Sequence, residues 1–102
     1  MIKRILLLLP FIIHLQILAQ VQIQGLIVDH SDNSPIQNAN IRLYNEINEP
    51  IGYTFSNENG IFNLDVEFKK KIILKVSALR YKQEDLEIIT VNENINLNIE
   101  MI

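Results

Sequence analysis

The sequence contains no cysteine and no tryptophan, and only two of its 102 residues are histidine. Without cysteine the chain has no disulfide to stabilise a small domain, and no thiol for a bacterial lipoprotein anchor. Two histidines leave little material for acid–base or nucleophilic triads, and a functional metal site normally needs three or four ligands. We therefore expect no catalytic residue, no metal site and no cofactor, and we expect that the chain is not an enzyme.

A long apolar run occurs only at the amino-terminal end of the chain. Lys3 and Arg4 precede apolar residues 5–13, and a less regular stretch ends at the small residue Ala19. The run is too short to span a membrane and is followed by polar residues, which favours a secretory signal peptide (residues 1–19) over a membrane anchor. We predict cleavage near Ala19 and a single domain over residues 20–102, exported to the periplasm or associated with the outer membrane.

Basic residues are few once that segment is removed. Lys3 and Arg4 are two of the nine lysines and arginines, so seven remain against twelve acidic residues, a net charge of −5. An acidic domain lacks the basic face that nucleic acid requires, so we expect no nucleic-acid partner. No apolar run of spanning length remains, so we also expect no transmembrane span in the mature chain.

Residues 20–102 lack the 3.6-residue hydrophobic period of a helix and instead alternate apolar and polar residues. This two-residue period is typical of strands with one buried face. It occurs in residues 39–44, 62–67, 72–78 and 95–101, and less regularly in 21–28 and 84–91. Turn-forming residues separate these segments at a spacing of roughly ten residues, so we predict an all-β fold, a seven-stranded antiparallel β-sandwich without a helix.

Four short motifs, VQIQGLIVD, SPIQNANI, SNENGIFNL and ILKVSALRYK, occur in that order along the chain. Their order and spacing resemble the carboxypeptidase-regulatory-like domain family, whose usual wording is G-x-V-x-D, P-L-x-G-A-x-V, T-D-x-x-G-x-F-x-L and V-S-x-x-G-Y-K. The resemblance covers about residues 20–101 and implies a prealbumin-like β-sandwich. It gives structural roles to Gly25, Asp29, Pro35, Ala39, Asn57, Gly60, Phe62 and Tyr81.

The resemblance also implies a cellular context. In Bacteroidetes-type bacteria such domains commonly follow the signal peptide of outer-membrane TonB-dependent receptors. A membrane barrel does not fit in 102 residues that already form a sandwich, so we expect a stand-alone domain or the amino-terminal piece of a truncated receptor gene. The implied partner is a protein of the cell envelope, such as the plug or barrel of a receptor.

Three residues depart from the family wording. Asn38 and Arg80 stand at glycine positions, and Asn57 stands at an aspartate position. Asparagine tolerates the left-handed conformation, whereas arginine would be strained if its position requires a positive φ. Gly25, inside the first strand, indicates either a β-bulge or the close approach of another strand.

The SNENG segment, residues 56–60, has two interpretations. A Ca²⁺ or anion site would have one carboxylate, Glu58, with two amides and a hydroxyl, which is fewer acidic ligands than Ca²⁺ sites use. A hairpin turn would have Asn57 bonded to nearby backbone and Gly60 in a left-handed conformation between two strands. The ligand count favours the turn.

Other residues favour surface roles. His30 lies in a turn, where a solvated loop residue is commoner than a metal ligand. Residues 68–71, FKKK, form a basic cluster with fewer lysines than lipid-recognition segments carry, which favours a charged loop. Tyr44, Tyr53 and Tyr81 suggest a sugar-stacking platform only by analogy with carbohydrate-binding sandwiches.

These observations favour a non-catalytic exported β-sandwich, an accessory or interaction module of an outer-membrane TonB-dependent receptor-type protein. Its open sheet edges and loops would contact the partner protein. The alternative, from another class, is a free carbohydrate- or glycopeptide-binding module of the cell envelope. A small hydrolase is the third hypothesis; the fold-related hydroxyisourate hydrolases need several histidines and a specific tail, which this sequence lacks.

Overall fold

The computed structural model describes residues 20–67 and 69–102, and the predicted signal peptide lies outside these residues. They form seven strands and contain no helix. The strands are β1 (Gln20–Asp29), β2 (Asn40–Asn45), β3 (Pro50–Phe55), β4 (Ile61–Glu67), β5 (Lys69–Ser77), β6 (Glu84–Val91) and β7 (Ile95–Met101). The all-β prediction is thus confirmed for the described residues.

The seven strands form two sheets that pack face to face. One sheet has three strands in the order β4-β1-β7, and the other has four in the order β3-β2-β5-β6. The alternation in the sequence predicts the buried faces of these strands correctly. The residues buried between the sheets include Ile41, Leu43, Phe62, Leu74 and Val76. Burial of these apolar side chains is the main source of stability in a domain without disulfides.

One strand pair corrects the prediction of a fully antiparallel sandwich. β1 and β7 run parallel, with Ile23 opposite Ile95 and Asp29 opposite Met101, whereas the other sheet pairings are antiparallel. The chain crosses from the four-stranded sheet to the three-stranded sheet between β6 and β7. A tight hairpin within one sheet forces antiparallel pairing, but a crossover between sheets leaves the direction of the next strand open.

Gly25 marks a close approach and not a β-bulge. The β1–β4 register runs without a shift from Gln20 opposite Glu67 to Leu26 opposite Ile61, and Gly25 lies opposite Phe62. The Phe62 ring occupies the space above Gly25, and a Cβ at this position would collide with three ring carbons. The Phe62 ring therefore fills the space that a side chain at position 25 would occupy.

The SNENG segment connects the two sheets, so the predicted hairpin turn is wrong. β3 belongs to the four-stranded sheet and β4 to the three-stranded sheet, and the chain passes between them at residues 56–60. Ser56 turns inward at this point and is only 3% exposed. Its hydroxyl donates to the Ile36 carbonyl at 2.6 Å and accepts from the Ala39 N–H at 2.9 Å, which holds the strand end against a different loop.

Candidate functional site

Six of the eight family-motif residues lie at one end of the sandwich, which we call the motif end (residues 29–39, 56–60 and 78–83). Backbone bonds join its loops: the Ile27 N–H donates to the Gly60 carbonyl at 2.8 Å, and the Ile36 N–H donates to the Ile27 carbonyl at 3.0 Å. Pro35 forms an isolated bridge with Val28 beside them. These contacts hold the loops of the motif end together. The motif residues in these loops are Asp29, Pro35, Ala39, Asn57, Gly60 and Tyr81.

The local geometry of residues 57–61 is that of a structural turn. The Asn57 side-chain oxygen accepts from the Asn59 N–H at 2.9 Å and from the Ile61 N–H at 3.0 Å, as predicted for a turn-forming asparagine. Gly60 has a φ of 76°, and a Cβ there would meet the Ile27 carbonyl oxygen. The described residues contain no group of three or more His, Cys, Asp or Glu side chains placed to hold a metal ion.

Two departures from the family wording adopt the conformation that glycine would take. Asn38 has a φ of 62° and Arg80 a φ of 75°. A left-handed conformation costs a non-glycine residue about 1–2 kcal/mol, least for asparagine. Arg80 is therefore strained in the turn before Tyr81, as the sequence led us to expect for a position with positive φ.

We expect Arg80→Gly to stabilise the domain by about 0.5–1 kcal/mol. Relief of left-handed strain worth about 1–2 kcal/mol exceeds the added flexibility of glycine in the unfolded chain, which costs about 0.5–1 kcal/mol. Chemical denaturation of both variants measures the difference. Lys82→Gly is the matched control two residues away, where φ is not positive, and it is expected to destabilise. Equal losses for the two variants would contradict the strain at Arg80.

Asp29 is the polar centre of the motif end. Its carboxylate accepts from the Ser31 N–H at 2.7 Å, from the Ser31 hydroxyl and, at 2.5 Å, from the Tyr81 hydroxyl. The bond from the Ser31 hydroxyl, then that from Tyr81 and then that from the Ser31 N–H lower the pKa of Asp29 to about 2. The bond to Asp29 in turn raises the pKa of Tyr81. The pair ties the end of β1 to the 78–83 loop across 52 residues of chain.

The Asp29 site predicts a loss of stability in acid. Because the folded state lowers the pKa of Asp29 from 3.8 to about 2, its stabilising effect is complete above pH 4 and disappears as the pH falls toward 2. Asp29→Asn is therefore expected to lower the melting temperature at pH 7, and the gap to the wild type is expected to close near pH 2. Melting curves of both proteins between pH 2 and 7 measure the gap; a gap independent of pH would refute this role.

His30 does not join Asp29 and Asp32 in a metal site. Its Nδ1 lies 2.9 Å from Oε2 of Glu100 in β7, and both side chains are more than half exposed. Asp32 instead accepts from the N–H and the hydroxyl of Ser34. His30 is thus an exposed loop residue with a surface partner, and such a pair contributes little to stability.

A second feature is an aromatic surface on β2 and β3. It lies on the face of the four-stranded sheet that points away from the three-stranded sheet. The side chains of Asn40, Arg42 and Tyr44 share the outer face of the four-stranded sheet with those of Tyr53 and Phe55, which lie opposite Arg42 and Asn40. Tyr53 and Phe55 are 71% and 51% exposed, and their rings meet edge to face with centroids 6.2 Å apart. We call these five residues the β3 face; they line a shallow depression of about 480 Å³ together with residues 50–52.

Two cations, Arg42 and Lys75, lie beside these rings on the outer face of the sheet. The Arg42 Nη2 donates to the Gln83 side-chain oxygen at 3.3 Å, and the Gln83 amide donates to Asp85 at 2.9 Å. In residues 20–67 and 69–102, Arg42 Nε and Asn40 Oδ1 are enclosed with no hydrogen-bond partner. The Lys75 ammonium lies 5.0 Å from the centroid of the Tyr44 ring. This cation–π contact holds Lys75 over the face, and Asp85 lies directly opposite Lys75 on β6.

β3 is an edge strand whose outer backbone groups have no strand partner in the described sheets. The Ser56 N–H donates to the Ala39 carbonyl at 3.1 Å, which continues the β2–β3 register. Bonded and non-bonded pairs alternate along an antiparallel ladder. Thr54 therefore bonds to β2, and the N–H and C=O groups of Tyr53 and Phe55 point to the free edge.

The other candidate residues from the sequence do not lie together in the fold. Tyr44 and Tyr53 meet on the β3 face, whereas Tyr81 lies at the motif end, so the three tyrosines do not form one platform. Of the predicted basic cluster, residue 68 and the side chains of residues 69 and 70 lie outside what the structure describes. Lys71 pairs with Glu87 across β5 and β6 at 3.3 Å.

The sequence did not indicate the structural role of three residues. Ser56 follows Gly52 and Thr54 in the inward parity of β3, and this alternation was the signal for its burial. Arg42 and Asn40 lie in the alternating segment 39–44, at the positions that the alternation predicts to face solvent. Their importance depends on which strands lie beside β2, and the sequence alone does not show this.

The geometry defines the class of the domain and the sequence defines its family. Two sheets with seven strands, closed at one end by left-handed turns and a buried serine, form a β-sandwich domain. Residues 22–101 match the family model described as the carboxypeptidase regulatory-like domain. The chain therefore belongs to the carboxypeptidase regulatory-like domain family.

Solved structures of similar fold come from proteins of several kinds. The Bacillus anthracis TIE protein is 20% identical with a TM-score of 0.71, over 82% of this chain and 16% of that one. The group B streptococcus pilus 2b backbone protein is 16% identical with a TM-score of 0.62, over 79% of this chain and 40% of that one. Acinetobacter radioresistens catechol 1,2 dioxygenase is 10% identical with a TM-score of 0.66, over 82% and 52%.

These similarities extend to the fold alone. This chain covers between 16% and 52% of the length of those three proteins, so it corresponds to one part of each. No curated protein sequence matches it significantly. In residues 20–67 and 69–102, no helix is long and apolar enough to cross a membrane.

Proposed function

We propose that the chain is exported and acts, without catalysis, as a protein-interaction module of the cell envelope. The observation that carries the proposal is the β3 face, where two aromatic side chains are more than half exposed beside a free strand edge. Exposed aromatic groups at an unpaired edge favour association with another protein chain. In this account the partner is an outer-membrane protein of the TonB-dependent receptor type, consistent with the context that the family resemblance implies.

Export is tested by the amino terminus of the protein in its own cell. We expect the chain to be found in the periplasmic or outer-membrane fraction and to begin at Gln20. Amino-terminal sequencing of the recovered protein gives the answer directly. An unprocessed chain that begins at Met1 in the cytoplasmic fraction would contradict the export part of the proposal.

Protein contact is tested by crosslinking from the β3 face. A photoreactive benzophenone amino acid replaces Tyr53 in one variant and the exposed Asn98, on the outer face of the three-stranded sheet, in the matched control. We expect light to produce a discrete protein adduct from position 53 in intact cells and no such adduct from position 98. Absence of an adduct at position 53, or the same adducts at both positions, would contradict the proposed contact.

Carbohydrate binding is the second candidate function, and the pairing of Tyr44 and Tyr53 around one depression favours it. Aromatic rings beside an amide and a guanidinium group are suited to a sugar ring with polar substituents. A glycan array incubated with the purified chain tests this candidate. Binding that disappears in Tyr53→Ala would support it, and an array without any bound glycan would remove it.

A further inference from the structure

We propose that the free edge of β3 binds an extended, acidic segment of another protein by strand addition. The segment would add a fifth strand to the four-stranded sheet, with a glutamate side chain directed toward Arg42. This inference rests on the proposed function and names the mode and the chemistry of its contact. The argument depends on three properties of the edge: its backbone, its side chains and its charge.

The backbone of β3 offers an unguarded edge. Sheet edges are commonly protected by charged residues, and β4, β6 and β7, the other edge strands of the described sheets, each carry acidic residues. β3, with the sequence PIGYTF, carries no charged residue. Pro50, at its start, is its one residue of a type that hinders pairing at an edge. The outward N–H and C=O groups of Tyr53 and Phe55 are spaced two residues apart, which suits an incoming strand.

The same two residues supply side-chain contacts for that strand. Tyr53 and Phe55 place their rings on the outer face, and alternate side chains of an added strand would pack against them. Aromatic–aromatic and aromatic–β-branched pairs across strands are favourable. One stretch of β3 therefore provides both backbone bonding and side-chain selection, so the partner segment is expected to be extended with apolar or β-branched residues at alternate positions.

The third property of the edge is its charge. Arg42 lies directly opposite Tyr53, and an added strand would lie two strand spacings from β2, about 10 Å, a distance that extended arginine and glutamate side chains span together. The Arg42 bond to Gln83 is long and exposed, and its acceptor is a neutral amide; a carboxylate oxygen is a stronger acceptor for a guanidinium. Lys75 lies opposite Asp85 on the same face, so Arg42, whose Nε has no hydrogen-bond partner in the described residues, is the cation available to the segment.

A second copy of the chain fits the edge less well than an acidic segment. Pairing of β3 with β3 across a two-fold axis would hold the two Arg42 residues three strand spacings apart, about 14 Å, and the two Lys75 residues farther apart still. Repulsion at such a distance is largely screened by salt. However, β3 carries no acidic residue, so a second copy would offer Arg42 no carboxylate. An acidic segment supplies that carboxylate.

The test uses a displayed library of random dodecapeptides selected against the purified, exported chain. We expect the recovered peptides to alternate apolar or β-branched residues and to share a glutamate at one position. For a synthetic peptide of this type, we expect Glu→Gln in the peptide, or Arg42→Gln in the protein, to weaken binding about tenfold, as for loss of a charge-assisted bond. Lys82→Gln, in the 78–83 loop, is the matched control and is expected to leave binding unchanged.

The strand-addition step is tested by N-methylation of the peptide, which leaves the protein unaltered. Methylation of alternate N–H groups in one parity removes the donors that face β3 and is expected to abolish binding, whereas methylation in the other parity is tolerated. Insensitivity to both parities would overturn strand addition. Selected peptides without an acidic residue, or affinity unchanged in Arg42→Gln, would overturn the acidic partner. A dimer of the chain that Tyr53→Ala dissociates would show that a second copy occupies the edge instead.

Failure of this inference and failure of the proposed function give different results. A protein adduct from position 53 in cells, combined with a peptide insensitive to N-methylation, would retain the interaction module and reject the strand-addition mode. Absence of any protein adduct would reject the module itself.

Discussion

Gly25→Ala is expected to destabilise the domain by about 3 kcal/mol, a large fraction of the stability of a small protein. The added methyl group would occupy the position of the Phe62 ring, which is only 2% exposed. Overpacking of this kind forces side chains away from their rotamers and shifts the backbone. Denaturant unfolding of the purified variant measures the loss.

A second substitution tests whether Phe62 is the cause. Shortening the ring in Phe62→Leu frees part of the space, so the double variant Gly25→Ala/Phe62→Leu is expected to be about 1–2 kcal/mol more stable than the sum of the single effects. Gly52→Ala is the control, since a Cβ there would lie at ordinary distance, 3.7 Å, from Leu64. Additive effects in the double variant would contradict the account of the Gly25 site.

Ser56→Ala is expected to cost about 2–4 kcal/mol, because one hydroxyl satisfies two buried backbone groups. Its removal leaves the Ile36 carbonyl and the Ala39 N–H without their partner, and each unsatisfied buried group costs about 1–3 kcal/mol. Thermal and denaturant unfolding measure the loss. We also expect faster amide exchange in residues 36–39 before global unfolding, since this loop depends on the hydroxyl.

The control for Ser56 is an exposed serine with a similar local bond. The Ser34 hydroxyl donates to Asp32 at 2.7 Å on the surface, and water replaces this bond when it is removed. Ser34→Ala is therefore expected to change stability by less than about 0.5 kcal/mol. A loss below about 1 kcal/mol for Ser56→Ala would show that the connection between the sheets does not depend on this hydroxyl.

Much of the fold could be predicted from the sequence because hydrophobic alternation is a local signal. The alternation around Ile41, Leu43 and Phe62 predicts which face of each strand is buried. This prediction does not depend on which strands are neighbours. Gly60 and Asn57 likewise specify their turn through their own conformational preferences. The left-handed φ of Arg80 was also foreseeable, because the family wording places glycine there.

Strand order and direction were not predictable in the same way. A turn such as residues 56–60 has the same local chemistry whether its flanking strands pair with each other or belong to opposite sheets. The burial of Ser56 distinguishes the two arrangements, and it depends on Ile36 and Ala39, about 20 residues earlier in the chain. The parallel β1–β7 pair depends similarly on strands that are more than 60 residues apart.

The candidate interaction site was hidden for the same reason. Tyr53 and Arg42 are separated by eleven positions and become neighbours only through the β2–β3 register. The sequence suggested open edges in general, but it did not show which strand lies at an edge. Only the sheet order distinguishes β3, the uncharged edge strand, from the charged edges of β4, β6 and β7.

The most direct test of the central claim is amide hydrogen exchange of β3, measured by NMR with and without a selected acidic peptide. The account predicts fast exchange of the Tyr53 and Phe55 amides in the free chain, because these groups face solvent, beside slow exchange of the Thr54 amide. Peptide binding is predicted to slow Tyr53 and Phe55 at least about tenfold, as the added strand accepts their hydrogen bonds. Bound peptide with unchanged exchange at Tyr53 and Phe55 would contradict strand addition at this edge.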